Sequence, residues 1–141
     1  MTVDIELTSA DLEEAAYHVL SGFPAEYANP PASIDDTIKA RIEISGDTTA
    51  ALSVEAETHA ASALAIAFFG LVGEELVEQD LIDAVKESAN VIGGALKPLL
   101  HGVTTLGIPV HDGEQITDTV AVVNYAGGNL TLGFVLQSVD S

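Results

Sequence analysis

The sequence contains no cysteine and no tryptophan among its 141 residues. Without cysteine, disulfides and thiolate metal sites are both excluded. Only four Phe and three Tyr are present, so the core has to be built mainly from Ala, Val, Ile and Leu. Hydrophobic residues make up 48% of the chain, which is enough material for a real core, and we expect residues 1–141 to form a single domain.

Basic residues are equally scarce. Lys and Arg total four against 22 Asp and Glu, which gives a formal net charge of −18. Four cations cannot assemble the basic patch that nucleic acid requires, and an anionic membrane surface is disfavoured for the same reason. We therefore expect no nucleic-acid partner and no membrane partner. The acidity itself has two interpretations: general solubility, or steering toward a basic patch on a partner protein.

Long apolar runs are missing as well. The longest run, from Ala60 to Val72, is too short and too rich in Ala to span a bilayer. The first residues, Met-Thr-Val-Asp-Ile-Glu, lack the positive region and apolar stretch of a secretory signal. We expect a cytoplasmic protein.

Hydrophobic periodicity and turn residues predict an α+β fold, because helices are grouped between two strand hairpins. The predicted elements are a helix over Thr8–Ser21, a hairpin of strands Thr37–Ser45 and Ala50–Ala56, helices over Thr58–Phe69 and Asp80–Lys97, a short extended piece over Leu106–Val110, and a hairpin of strands Thr119–Tyr125 and Leu130–Gln137. Three prolines predict a loop over Phe23–Ser33. The expected architecture is an antiparallel sheet covered on one face by helices.

The helix over Asp80–Lys97 has an unusual outer face. At roughly 100° per residue, Asp83, Glu87 and Asn90 fall within about 60° of each other. The apolar stripe lies on the opposite side and comprises Leu81, Val85, Ala89, Ile92, Leu96 and Leu99. Gly94 shares the polar face and leaves a patch without side-chain bulk. Such a face suits docking against something outside the protein.

These residues resemble a known signature. Asp83-x3-Glu87-x2-Asn90, followed by Val-Ile-Gly-Gly, resembles the D/S-x3-E-x2-N helix of the CheC/CheX/FliY chemotaxis phosphatases. A single copy is the CheX pattern; the first helix has Glu14 but carries Tyr17 where a second copy would need Asn. The resemblance implies a layered domain of α/β/α type and a homodimer. It also implies hydrolysis of the phosphoaspartate on a CheY-like response regulator.

The resemblance also implies roles for individual residues. Asn90 is expected to position the attacking water and Glu87 to contact a lysine of the regulator, so both are the expected catalytic residues. Asp83 and Gly94 are expected to bind the partner. We expect this chain to bind no cofactor or metal ion of its own, and we expect Mg²⁺ on the phosphorylated response regulator.

Other interpretations remain open from the sequence. The chain could be a CheX-like scaffold that binds a regulator or a motor component without catalysis, or an unrelated acidic domain whose helix turns Glu87 and Asn90 inward. Asp83 could simply pair with Lys86, three residues along the helix. The four histidines are not at metal-ligand spacing, and His111-Asp112-x-Glu114 is interpreted as a polar loop. The run Ala63–Phe69 is interpreted as core, part of which could line a partner groove.

Overall fold

A computed structural model describes residues 7–23, 30–31, 34, 37–71 and 75–139. Along the chain these form α1 (Ser9–Leu20), β1 (Thr37–Gly46), β2 (Thr48–Glu57), α2 (Thr58–Phe69), α3 (Glu78–Leu96), a 3₁₀ turn (Lys97–Leu99), β3 (Thr104–Leu106), β4 (Val110–His111), β5 (Thr119–Tyr125) and β6 (Gly128–Val139). The predicted α+β class is confirmed, and the predicted helices and hairpin strands are present with boundaries that match or shift by one or two residues. The extended piece predicted over Leu106–Val110 is wrong as a single element, because β3 ends at Leu106, β4 begins at Val110, and residues 107–109 between them belong to no strand. The loop predicted over Phe23–Ser33 lies largely outside the described residues.

Within the described residues the strands form one antiparallel sheet in the order β3-β1-β2-β6-β5, with β4 also paired to β1. β1 and β2 form the first hairpin, with Ala40 opposite Val54 and Ile42 opposite Leu52. β2 then pairs with β6, and β6 with β5. The edge beside β1 is divided, because β3 pairs with its final residues and β4 with its middle.

The core lies between one face of this sheet and the helices. The alternating Ile38, Ala40, Ile42 and Ile44 of β1 are all buried, as the period of two predicted. Side chains of all three described helices join the same hydrophobic cluster. Each fully buried Leu or Ile contributes about 1.5–3 kcal/mol relative to an exposed one. This burial fixes α3 across β1 and β2.

The second face of the sheet is also partly covered, which the sequence pattern did not indicate. Ala51 and Ser53 of β2 are buried although they point away from the helices. The segment between β4 and β5 crosses this face, and the Ile116 amide donates a hydrogen bond to Ser53 Oγ at 3.0 Å. Gly133 of β6 allows this crossing, since a Cβ there would overlap the Ile116 carbonyl.

Helix ends follow familiar capping rules. Thr8 caps α1: its Oγ1 accepts the Asp11 amide at 3.2 Å, while the Asp11 carboxylate accepts the Thr8 amide at 2.9 Å. Gly70 closes α2 in the left-handed conformation, with φ 65°.

The prediction that Leu99 belongs to the buried stripe of α3 is wrong. The helix ends at Leu96, and the following 3₁₀ turn through Pro98 leaves Leu99 exposed.

Candidate functional site

The buried side of α3 determines which residues it presents outward. Leu81, Val85, Ala89 and Ile92 are fully buried against the sheet and the other helices. Ser88, the polar residue on this buried side, is satisfied locally, because its Oγ donates to the Val85 carbonyl at 2.6 Å. This packing fixes the rotation of α3 about its own axis. The residues on its outer face therefore cannot turn into the core unless the helix unpacks.

Asp83, Glu87 and Asn90 lie together on this outer face, as predicted. With Lys86 they line an open cleft of about 560 Å³, whose other wall consists of Phe69, Gly107, Ile108 and Pro109. Asp83 is exposed, whereas Glu87 and Asn90 are half-buried. The alternative in which Glu87 and Asn90 turn inward is thereby excluded.

The polar groups of the cleft differ in how they are engaged. Gln79 Nε2 donates a hydrogen bond to Asp83 Oδ1 at 2.8 Å, one helical turn away. Asp83 is therefore held by Gln79, and the alternative pairing with Lys86 is not formed. Within the described part of the chain, no hydrogen bond or ion pair engages the side chains of Glu87, Asn90 or Lys86. An amide donor and acceptor, a carboxylate and an ammonium group are thus available to a binding partner.

Gly94 shares the face of these residues but does not line the cleft. A Cβ on Gly94 would lie 4.0 Å from Leu106 Cδ1, an ordinary contact distance. The neighbouring Gly93 is tighter, since a Cβ there would lie 3.2 Å from Leu106 Cδ2 and 3.7 Å from Ile42 Cγ2. Gly93 therefore lets β3 approach α3 closely and brings the residues after β3 to the cleft.

Three apolar members of the cleft were not among the predicted site residues. Phe69 ends α2, and Ile108 and Pro109 follow β3. Phe69 belongs to the run for which a partner groove was left open, and its 43% exposure agrees with that alternative. The connection between β3 and β4 consists of Gly107, Ile108 and Pro109, and nothing in its sequence places it beside α3.

Metal ligands do not cluster in the described ranges: no group of three or more His, Asp or Glu side chains converges there. His111 Nε2 lies 3.4 Å from Asp112 Oδ1, and both side chains are exposed. No helix in the described residues combines the length and the apolar character that crossing a membrane requires.

In the part of the chain that the structure describes, an antiparallel sheet with three α-helices carries an outward-facing cleft between a polar helix face and an apolar wall. A family profile described as chemotaxis phosphatase CheX matches residues 38–127, which span β1 to the β5–β6 turn. The chain belongs to this family of chemotaxis phosphatases. Among curated protein sequences, none matches the chain.

Solved structures show a similar fold. CheX from Desulfovibrio desulfuricans is 21% identical and has a TM-score of 0.63, with 89% of this chain and 96% of that chain covered. CheX from Vibrio vulnificus is 14% identical, with a TM-score of 0.64 and coverage of 95% and 100%. CheX from Borrelia burgdorferi is 13% identical, with a TM-score of 0.67 and coverage of 96% and 100%; that structure is a complex with CheY, BeF₃ and Mg²⁺.

Proposed function

We propose that this protein is a phosphatase that hydrolyses the phosphoaspartate of a CheY-like response regulator. The observation that carries the proposal is the cleft on α3, where the Glu87 and Asn90 side chains are accessible and unengaged within the described residues. Membership of the chemotaxis phosphatase CheX family supports the reaction class. The Borrelia burgdorferi relative, solved with CheY, BeF₃ and Mg²⁺, supports the partner and the placement of Mg²⁺ on it.

Asn90 is the proposed water-positioning residue. Hydrolysis of an acyl phosphate requires a water in line with the phosphorus, and holding that water in place removes much of the entropic barrier. An amide can accept a hydrogen bond from the water and donate another to a phosphoryl oxygen. Because it is neutral, it does not repel the negatively charged phosphoryl group. Its position on a packed helix keeps the geometry constant from one encounter to the next.

Glu87 is the proposed docking residue beside it. The regulator's site holds a lysine as well as Mg²⁺, and a carboxylate on the docking helix can accept a charge-assisted hydrogen bond from that lysine. This arrangement supplies from the partner the positive charge that a chain with a net charge of −18 lacks. Asp83, in the cleft, and Gly94, on the same helix face outside it, remain proposed partner contacts.

The test is the decay of a phosphorylated response regulator in the presence of Mg²⁺. Regulators encoded near this gene are the first choice. The protein is compared with its Asn90→Ala and Glu87→Ala variants, and with Glu78→Ala, which removes a carboxylate from an exposed position on the same helix outside the cleft. We expect faster decay that is lost with Asn90→Ala and retained with Glu78→Ala.

Binding of a phosphorylated regulator without faster loss of its phosphate would favour the scaffold function over the phosphatase. If wild-type protein binds several phosphorylated regulators and changes the decay of none, the phosphatase proposal is refuted and the scaffold function takes its place. If it binds none of them, the phosphatase proposal is refuted, and of the scaffold alternative only binding to a motor component remains.

We also propose that two copies associate, as the family resemblance implies. Within the described sheet, β5 is an edge strand whose Val120 and Val122 are exposed, and an edge of this kind can pair with a second sheet. Sedimentation equilibrium of wild-type protein and of a Val122→Lys variant tests the dimer. A wild-type protein that remains monomeric at high concentration contradicts it.

A further inference from the structure

The divided edge of the sheet projects one short segment beside the cleft. β3 pairs with Ile44–Gly46 of β1 and β4 pairs with Ala40 and Arg41, so residues 107–109 leave the strand between two anchored ends. The Gly107 amide donates to the Glu43 carbonyl at 2.8 Å, and the Asp112 amide donates to the Lys39 carbonyl at 3.0 Å. We call Gly107–Pro109 the prong. Because hydrogen bonds to β1 hold the chain at both ends of the prong, its backbone has little conformational freedom.

The prong is tied to the helix that carries the site. Leu106, directly before it, packs so closely against Gly93 that a Cβ on Gly93 would lie 3.2 Å from Leu106 Cδ2. Gly93 lies three residues after Asn90, so one contact sets the distance between the prong and the polar residues of the cleft. Pro109 restricts the backbone of the prong further, since its ring fixes φ.

The prong presents a large apolar side chain to solvent. Ile108 is 86% exposed and lines the cleft together with Glu87 and Asn90. Phe69, at the end of α2, lines the same cleft and is 43% exposed. Single exposed apolar residues are ordinary on protein surfaces, but two on anchored backbone around one polar cleft are typical of an interaction site.

We propose that Ile108 and Phe69 form an apolar docking pair that selects which phosphorylated response regulator enters the cleft. This inference rests on the proposed function. Phosphoaspartate, Mg²⁺ and lysine are common to the phosphorylated sites of such regulators, so Glu87 and Asn90 recognise what every regulator offers. Ile108 and Phe69 line the same cleft as Asn90, so a regulator whose phosphoaspartate reaches Asn90 has to contact them with the surface around that site, which is outside the shared chemistry. The apolar pair, rather than Glu87 and Asn90, therefore distinguishes one response regulator from another.

The first experiment measures regulator decay as a function of regulator concentration. Ile108→Ser removes the apolar side chain from a solvent-exposed position, so the fold is retained. We expect the concentration for half-maximal rate to rise about tenfold, because burying an Ile side chain is worth roughly that factor or more, while kcat stays within about twofold. Val103→Ser is the matched control: Val103 is also β-branched, is 78% exposed just before β3, and lies outside the cleft. It should leave both constants unchanged.

The second experiment measures selection directly. Binding of wild-type protein and of Ile108→Ser is titrated against several regulators activated with beryllofluoride and Mg²⁺, which mimic the phosphorylated state. We expect the ratio between the tightest and weakest regulator to shrink in the variant. An unchanged ratio, or an unchanged half-maximal concentration, overturns the docking pair.

The two proposals fail in distinguishable ways. Binding that weakens with Ile108→Ser, in a wild-type protein that accelerates no decay, refutes the phosphatase and keeps the docking pair. Decay that disappears with Asn90→Ala but is indifferent to Ile108→Ser keeps the phosphatase and refutes the docking pair. If Ile108→Ser instead abolishes self-association with regulator binding intact, the pair belongs to a contact between copies, and the proposal is overturned.

Discussion

Gly93 and Gly94 are adjacent in the last turns of α3, yet the space around them differs. A glycine inside a helix costs about 0.5–1 kcal/mol relative to alanine, because the unfolded chain has more conformations to lose. Replacement by alanine recovers that free energy where the new methyl group fits. At Gly94 the nearest neighbouring atom is Leu106 Cδ1 at 4.0 Å from the Cβ position, which is an ordinary contact. We therefore expect Gly94→Ala to raise the free energy of unfolding by about 0.5–1 kcal/mol.

Gly93→Ala has to displace a neighbour. Its Cβ would lie 3.2 Å from Leu106 Cδ2, so Leu106 has to move by a few tenths of an ångström. Overpacking of this kind typically costs about 1–3 kcal/mol, which offsets or exceeds the gain in helix propensity. We expect Gly93→Ala to range from neutral to about 2 kcal/mol destabilising.

Urea unfolding followed by circular dichroism gives both values, with wild type as the reference. An unchanged m-value is required, so that the two variants can be compared through the same unfolded state. The structure predicts that Gly94→Ala is more stable than Gly93→Ala. Equal stabilisation by the two substitutions would refute the close approach of β3 to α3, and with it the contact that sets the prong beside Asn90. If Gly94 also contacts the partner, Gly94→Ala should weaken regulator binding while it stabilises the fold.

Two further predictions concern the fold and the charge. Tyr125→Phe removes the hydrogen bond that the buried Tyr125 Oη donates to the Phe23 carbonyl at 2.7 Å. We expect the free energy of unfolding to fall by about 1 kcal/mol or somewhat more. The matched Tyr17→Phe, at an exposed position of α1, should have little effect, and equal losses of the two variants in urea unfolding would contradict the reasoning. If the net charge of −18 steers the protein to a basic patch on the regulator, the association rate constant should fall as the salt concentration is raised. Stopped-flow association rates that do not depend on salt would refute electrostatic steering.

Periodicity predicted the elements well because each is governed by its own residues. The alternation of Ile38, Ala40, Ile42 and Ile44 requires one buried strand face, and the structure buries it. The outer face of α3 followed equally well from the opposite apolar stripe. The second hairpin was predicted from its glycines, although the turn residues are Ala126 and Gly127, both at positive φ, and Gly128 already belongs to β6.

The features that the sequence did not predict depend on contacts between distant segments. Nothing in the sequence around Ile108 or Phe69 indicates that both line the cleft that contains Asn90. Ile116 covers Ser53, 63 residues earlier in the chain. The spacing of Leu99 from the other apolar residues of α3 matches the helical period. The helix ends at Leu96, however, so helical spacing does not predict the burial of Leu99. The helix face of the candidate site was therefore predictable. Of its apolar wall, Phe69 lay in a run for which a partner groove was left open, whereas Ile108 and Pro109 were not predicted.

The central claim is that Asn90 positions a water for attack on a phosphoaspartate. The most direct measurement is single-turnover decay of a phosphorylated regulator at saturating concentrations of wild type and of Asn90→Ala, with binding to the beryllofluoride-activated regulator measured in parallel. We predict a loss of rate on the order of 100-fold, with affinity changed by no more than about threefold. An Asn90→Ala variant that binds and accelerates decay like wild type would contradict the claim.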